Sequence, residues 1–184
     1  MVGMYKLKFT VLQQEIFRYL VIKAGLSFNL RSLARALEVS STAIAKALPG
    51  LEKNQIVKVK KDKESKRLSI ELNRDSFTII QLKRVENLRM IYESGLVNFL
   101  SDSFPGKTIV LFGSYSLGED TIKSDIDIVI IDAKEKNIEL SEYNKKLDRL
   151  IFLHFYPDFK KIEIPLKENI LNGIVLKGGF TLWK

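Results

Sequence analysis

The sequence lacks cysteine and is poor in histidine, and both shortages limit the chemistry that this protein can use. None of the 184 residues is cysteine, and His154 is the single histidine. The absence of thiols excludes a disulfide scaffold, thiolate zinc sites and cysteine nucleophiles, and one imidazole cannot form a histidine cluster. Catalysis would therefore depend on carboxylates, hydroxyls or amines. His154 has apolar and aromatic neighbours in the sequence, so we expect a structural role for it.

Long apolar segments are also absent. No run approaches the ~18 residues that cross a bilayer, and the N-terminal segment lacks the uninterrupted apolar stretch of a secretory signal. The composition, 46% hydrophobic and 28% charged, is that of a folded chain long enough for one large or two small domains. These features predict a soluble cytoplasmic protein that makes no membrane contact.

Positive charge is concentrated in the first part of the chain. The whole sequence has 30 Lys and Arg against 22 Asp and Glu, a net charge of +8. Residues 1–75 contain 15 of these basic residues and only 7 of the acidic ones, whereas residues 76–184 are neutral. A basic module joined to a neutral one is typical of a protein that binds a polyanion such as DNA, although a lysine-rich solvated surface would give the same count.

The apolar spacing of residues 10–53 predicts three short helices. Asn29 and the pair Ser40–Ser41 are suitable N-caps for the second and third helices. Pro49 lies within the third, and because proline lacks an amide donor and clashes with the preceding turn, we expect a break or kink near Ala47 and Leu48. Alternating apolar residues at 56–59 and 68–72 then predict a β-hairpin with a charged turn.

Three helices followed by a hairpin resemble a winged helix-turn-helix DNA-binding domain, over about residues 8–73. We expect the third helix to face the DNA groove and the hairpin tip to contact phosphates. Small helix-turn-helix units also serve as dimerisation or protein-docking modules, which leaves that alternative open. The predicted contacts to double-stranded DNA are Ser41, Thr42, Lys46, Lys61, Lys63, Lys66 and Arg67.

The second half has mixed patterns that predict an α+β domain. Helical spacing covers residues 76–101, with Gly95 interrupting it, and a second helix is expected over residues 138–155. We therefore predict a winged helix-turn-helix domain at 1–75 and a second domain at 76–184, in which a mixed β-sheet is flanked by helices.

A short polar motif between two apolar strands carries the chemistry. Residues 108–132 read TIVLFGSYSLGEDTIKSDIDIVIID, in which Gly113-Ser114 is followed after ten residues by Asp125-Ile126-Asp127. Residues two apart on a strand face the same side, so the two carboxylates are expected side by side. Like charges this close favour a bound cation, and Mg²⁺ prefers hard oxygen ligands and nucleotide phosphates. The glycine would let backbone amides approach an anion.

This motif resembles the GS…DxD motif of the DNA polymerase β-type nucleotidyltransferase superfamily in its minimal form, over roughly residues 76–184. The resemblance implies a transfer of a nucleotidyl group, such as AMP, from ATP or another NTP, with Mg²⁺ held by Asp125, Asp127 and a third carboxylate. Glu163 is the candidate for that carboxylate, since Ile162 and Ile164 flank it as on a strand, and Asp158, which follows Pro157 in an apparent turn, is the fallback. Gly113, Ser114 and Lys123 are the expected nucleotide-binding residues.

Two functional interpretations remain at this point. One is an Mg²⁺-dependent nucleotidyltransferase with its own DNA-binding domain; the resemblance implies a HEPN-domain partner in a toxin–antitoxin module, and a homodimer is left open. The other is a DNA-binding transcription regulator with a catalytically inactive nucleotidyltransferase-like domain. Many relatives carry arginine before the second glycine of the loop, where this chain has Leu117, and this departure favours the regulator. Transfer to a small molecule is a third, weaker hypothesis.

Overall fold

Three helices form the first part of the fold, and each begins at a polar residue that caps it. The computed structural model describes residues 9–63 and 67–180. Thr10 and Gln13 form a reciprocal capping box, in which each side chain accepts a hydrogen bond from the other's backbone amide. Asn29 and Ser40 cap the next two helices, as predicted. The helices are α1 (Val11–Ile22), α2 (Leu30–Ala36) and α3 (Ser41–Lys53).

Helix α3 continues through Pro49, so a break near Ala47 and Leu48 is absent. Gly50, the next residue, lies against α1. A β-carbon there would lie 2.4 Å from Gln13 Nε2, so the end of the Gln13 side chain would have to move if Gly50 were replaced. The Gln13 amide donates to the Ala47 carbonyl at 3.1 Å, and this tertiary contact holds the helix at the turn beside the proline.

A two-stranded antiparallel hairpin follows the helices. Strand β1 (Val57–Lys61) pairs with β2 (Leu68–Leu72), with Val59 opposite Ile70. Ile70 also forms a β-bridge with Phe28, which ties the hairpin to the segment before α2. The buried core of this unit includes Ile16, Leu20, Leu33, Ile44, Leu51, Ile56 and Ile70. Three helices and a hairpin are the arrangement predicted for the winged helix-turn-helix domain.

The chain divides into two compact units, residues 1–79 and 80–184. The boundary that we predict after residue 75 falls close to this division. Helix α4 (Phe77–Glu93) is followed by α5 (Leu96–Ser103), and Gly95 between them adopts the left-handed conformation at φ 82°. Glycine has no steric penalty in that conformation, which explains why the predicted helix divides there.

The second unit is built on a four-stranded mixed sheet, which confirms the predicted α+β class. The strand order is β5-β4-β3-β6, with β4 and β5 parallel and the other pairs antiparallel. The elements after α5 are β3 (Thr108–Phe112), α6 (Gly113–Leu117), β4 (Ile126–Ile131), α7 (Ser141–Leu147), β5 (Ile151–Tyr156), α8 (Ile164–Leu171) and β6 (Ile174–Lys177).

Both faces of this sheet are covered by apolar packing. Ile126, Ile128 and Ile130 belong to one core cluster, and Val129 and Ile131 belong to the other. All five residues of β3 are buried. The sheet alternation predicted for β4 is therefore present, and it places Asp127 on the face of Val129 and Ile131.

The helix predicted over residues 138–155 is wrong in its second half. Helix α7 ends at Leu147, where Asp148 adopts a positive φ of 53°, and the chain then enters β5. The apolar and aromatic run at 151–156 pairs along its whole length with β4, so backbone pairing overrides the local helical spacing. In the part of the chain that the structure describes, no helix is long and apolar enough to cross a membrane.

Candidate active site

The turn from β3 into α6 brings the backbone against a carboxylate. Phe112, the last residue of β3, pairs with Asp127 on β4. Gly113 follows with φ 73°, and a β-carbon at this position would lie only 3.0 Å from Asp127 Oδ2. Any larger residue would be strained by its φ and would crowd the carboxylate. Glycine at this position thus sets the distance between the Gly113-Ser114 turn and Asp127.

The second oxygen of Asp127 faces a histidine on the neighbouring strand. His154 Nε2 lies 3.1 Å from Asp127 Oδ1, and both side chains are about one-third exposed, at 37% and 34%. The imidazole also packs edge-on against Phe112, with ring centroids 5.3 Å apart. The sequence prediction gave His154 a structural role and missed its place in this site. Recognising β5 would have revealed it, because alternate residues of a strand face opposite sides, which separates His154 from Leu153 and Phe155, the neighbours that pack against the core.

Asp125 lies beside a cavity with a mixed charged lining. It is exposed and directly precedes β4. The cavity has a volume of about 510 Å³, and its charged lining consists of Asp125, Asp148, Lys123, Lys145 and Arg149. Positive side chains beside a carboxylate can hold the phosphates of a nucleotide. The side-by-side placement of Asp125 and Asp127 stays a prediction.

The loop that connects α6 to Asp125 is anchored by a set of buried polar residues, here called the buried polar cluster: Lys83, Asn87, Asp120 and Arg149. Lys83 donates a hydrogen bond to Asp120 Oδ1. Asn87 donates to the same oxygen at 2.7 Å, and Arg149 lies 3.8 Å from Asp120 Oδ2. Lys83 and Asp120 are each only 1% exposed. Burial at this level is tolerated because opposite charges and hydrogen bonds compensate each other.

The same cluster holds the beginning of the loop. Asn87 donates to the Tyr115 carbonyl in α6 at 2.9 Å. Burial, reinforced by the charge of Asp120, raises the pKa of the Tyr115 phenol, which therefore stays neutral. Gly118 closes the turn at φ 78°, where a β-carbon would lie 2.4 Å from the Ile80 carbonyl oxygen. Helix α4 thus fixes the loop from α6 to Asp120.

A groove with three arginines lies on the first unit. Its volume is about 640 Å³, and it is lined by residues of α2, the start of α3 and the turn end of the hairpin. Arg31 and Arg35, which are exposed on α2, join Arg67 there, together with Ser41. The sequence prediction named Ser41 and Arg67 but missed Arg31 and Arg35, which the i, i+4 spacing on one helix places on the same face.

The other predicted DNA contacts that the structure describes are not among the residues that line this groove. Thr42 and Lys46 are exposed on α3, and Lys61 and Lys63 are exposed at the end of β1 and in the turn after it. Lys66 lies outside the described residues.

Comparison with known proteins decides the family. The model of the nucleotidyltransferase domain matches residues 93–174. A relative from Methanocaldococcus jannaschii, named "putative protein adenylyltransferase", is 36% identical over an alignment of 85 residues. The match covers 42% of this chain and 74% of the relative. The chain belongs to the nucleotidyltransferase family. It is thus an enzyme of the nucleotidyltransferase type, and the matched segment contains the Gly113 turn, Asp125, Asp127 and His154.

Two solved structures of the adhesin competence repressor AdcR from Streptococcus pyogenes also align with the chain. They cover 53% and 55% of it and 69% and 71% of their own length, with TM-scores of 0.40 and 0.42 and sequence identities of 22% and 21%.

The donor set of the nucleotidyltransferase site fits a divalent cation. The carboxylates of Asp125 and Asp127 are hard oxygen donors, and a cation of this kind completes its shell with water and nucleotide phosphates. Within residues 9–63 and 67–180, no three His, Asp or Glu side chains are already grouped as a metal site. The site therefore offers few protein donors and leaves several positions for the substrate.

The third carboxylate predicted from the sequence is not in this site. The strand expected around Glu163 is wrong, because Glu163 is exposed and is the N-cap residue of α8, after a short 3₁₀ helix at Phe159–Lys161. Pro165 explains the difference, since it is favoured in the first turn of a helix and removes a donor that a strand needs. The structure does not group Glu163 with Asp125 and Asp127.

Proposed function

We propose that this nucleotidyltransferase moves AMP from ATP to a protein acceptor. The observation that carries the proposal is the close approach of the Gly113 turn to the Asp127 carboxylate. In this proposal, the Ser114 hydroxyl and the turn amides bind the cation-bound triphosphate. The relative named as an adenylyltransferase supports ATP as the donor and a protein as the acceptor.

Each part of the site has a role in this proposal. Asp125 and Asp127 hold the divalent cation, Mg²⁺ in the simplest case, which when bound offsets negative charge on the triphosphate and on the leaving group. Ser114 and Lys123 bind phosphate oxygens. The buried polar cluster keeps the loop in place so that little reorganisation is needed at the moment of reaction.

The reaction is a substitution at the α-phosphorus. The acceptor oxygen forms a new bond to that phosphorus, the bond to the bridging oxygen of the β-phosphate breaks, and pyrophosphate leaves. The acceptor's proton passes to solvent. Neither Asp125 nor Asp127 needs to give or take a proton in this scheme.

Isotope position tests the proposal directly. The protein is incubated with ATP, Mg²⁺ and lysate of the source cells, with the label in the α-phosphate in one reaction and in the γ-phosphate in a matched one. We expect labelled macromolecule only from α-labelled ATP, and mass spectrometry of the labelled product should show an added AMP. Label from γ-labelled ATP alone would indicate phosphoryl transfer and contradict the proposal. Parallel reactions with the other NTPs identify the preferred nucleotide.

We further propose that the three-arginine groove of the first unit binds the phosphates of double-stranded DNA. Arginine binds phosphate oxygens through paired N–H donors, and Ser41 at the beginning of α3 adds a polar contact. A HEPN-domain partner, an antitoxin role and a homodimer remain predictions from the family resemblance.

Salt dependence tests the DNA proposal. Replacing Arg31 and Arg35 with alanine should weaken binding to random-sequence duplex and lower the slope of log K against log salt by about one per arginine. Lys53→Ala is the matched control, because Lys53 is exposed at the other end of α3 and does not line the groove. An unchanged slope in the double variant would remove the groove from the DNA contact. DNA binding without any AMP transfer would favour the inactive-regulator hypothesis.

A further inference from the structure

Strand β5 presents an imidazole where the family resemblance implies a carboxylate on a later strand. β5 pairs in parallel with β4, which contains Asp127. Its six residues, Ile151–Tyr156, include neither Asp nor Glu. His154 is the side chain on β5 that contacts Asp127, with Nε2 and Oδ1 3.1 Å apart.

The Asp127 carboxylate is held between two neighbours, one for each oxygen. Oδ2 lies against the Gly113 backbone, where a β-carbon would be 3.0 Å away, and Oδ1 faces the imidazole. Phe112 packs against the His154 ring and limits its rotation. With both groups partly exposed, the open side of this pair remains accessible to a cation.

We propose that His154 Nε2 and Asp127 Oδ1 bind the same divalent cation, and that the imidazole makes the site prefer Mn²⁺ to Mg²⁺. Two adjacent ligands of an octahedral cation with bonds of about 2.1 Å lie about 3 Å apart, close to the observed separation. Imidazole nitrogen is a good ligand for transition metals and a poor one for Mg²⁺. The inference rests on the cation site of the proposed function and adds His154 Nε2 as a donor beside Asp127 Oδ1.

Ligation through Nε2 would require the ring proton to reside on Nδ1, so that the hydrogen bond between His154 and Asp127 is exchanged for one bond from each side chain to the cation.

Spin-echo spectroscopy of bound Mn²⁺ tests the ligation without any measurement of activity. Because the chain has one histidine, an untagged protein contains a single imidazole. We expect modulation from a directly bound ¹⁴N nucleus, which changes to the ¹⁵N pattern when the protein is labelled with ¹⁵N-histidine. If Mn²⁺ binds but its spin-echo modulation does not change with this labelling, the proposal is overturned.

Metal titrations of three variants provide a second test. His154→Ala should weaken Mn²⁺ binding at least about tenfold, since the loss of even an outer-shell partner costs about 10–100-fold, while Mg²⁺ affinity measured by competition should change much less. His154→Asp should shift the preference toward Mg²⁺. The matched control is Asn137→Ala, which changes an exposed polar residue in the segment after β4 that does not line the cavity. Equal Mn²⁺ to Mg²⁺ ratios in wild type and all variants would contradict the inference.

The two proposals fail in distinguishable ways. If AMP transfer occurs with Mg²⁺ but Mn²⁺ shows no histidine nitrogen, the ligand assignment is wrong and the transferase proposal stands. If the histidine nitrogen is detected but no label leaves α-labelled ATP, the cation site stands and the proposed transfer is wrong.

Discussion

Replacing Asp120 with alanine is expected to lower the free energy of unfolding by about 3–5 kcal/mol, the cost of removing one partner from a buried ion pair. Asp120 accepts hydrogen bonds from Lys83 and Asn87 and lies near Arg149, all in the buried polar cluster. Without its carboxylate, two cationic side chains remain in an interior with little access to water. The loss is large for a single substitution, since most are within about 0.5–3 kcal/mol.

Urea unfolding followed by circular dichroism measures this loss. Glu119→Ala is the matched control, because Glu119 is the adjacent carboxylate and is exposed, and we expect it to change stability by no more than about 0.5 kcal/mol. A double variant, Lys83→Met with Asp120→Leu, should recover part of the stability because apolar residues of similar volume often replace buried pairs well. A loss for Asp120→Ala no greater than that of the control would show that the cluster contributes nothing to stability.

The second large effect is expected on catalysis. Asp127→Asn should reduce the rate of AMP transfer by about 10³-fold or more. The variant loses several kcal/mol of charge stabilisation in the transition state. Each loss of about 1.4 kcal/mol slows the reaction tenfold. Asparagine has nearly the same shape and can still contact His154, so the fold should be retained. The rate of pyrophosphate release from ATP, measured with and without acceptor, gives the effect.

Asp132→Asn provides the control, directly after the same strand. Asp132 follows β4 at the opposite end, is exposed and has a φ of 59°, a conformation that asparagine also tolerates. Its transfer rate should equal that of wild type. A retained rate in Asp127→Asn would show that this carboxylate has no part in the chemistry.

Much of the site could be predicted from sequence because the deciding features are local. Gly113, Asp125 and Asp127 lie within one strand-turn-strand segment, and the alternation of apolar residues on β4 is visible in the sequence. The capping residues Asn29 and Ser40 were predicted for the same reason. The order of helices and hairpin in the first unit followed from periodicity alone.

The parts that sequence did not predict depend on long-range contacts. The run that contains His154 has helical spacing, and only its pairing with β4 makes it a strand and brings the imidazole to Asp127. The Asp120 carboxylate accepts a hydrogen bond from Lys83, which lies 37 residues earlier in the sequence. No local sequence pattern indicates this contact. Pro49 was expected to break α3, and the contact from Gln13 that supports the helix there is likewise distant in sequence.

The cluster beneath the loop also places a constraint on sequence divergence. Because Lys83 and Arg149 share the Asp120 carboxylate, its loss alone would leave two like charges in the interior. Homologous chains that lack an acidic residue at position 120 should therefore also have neutral residues at positions 83 and 149, and an alignment should show these columns covarying even where the surrounding loop differs.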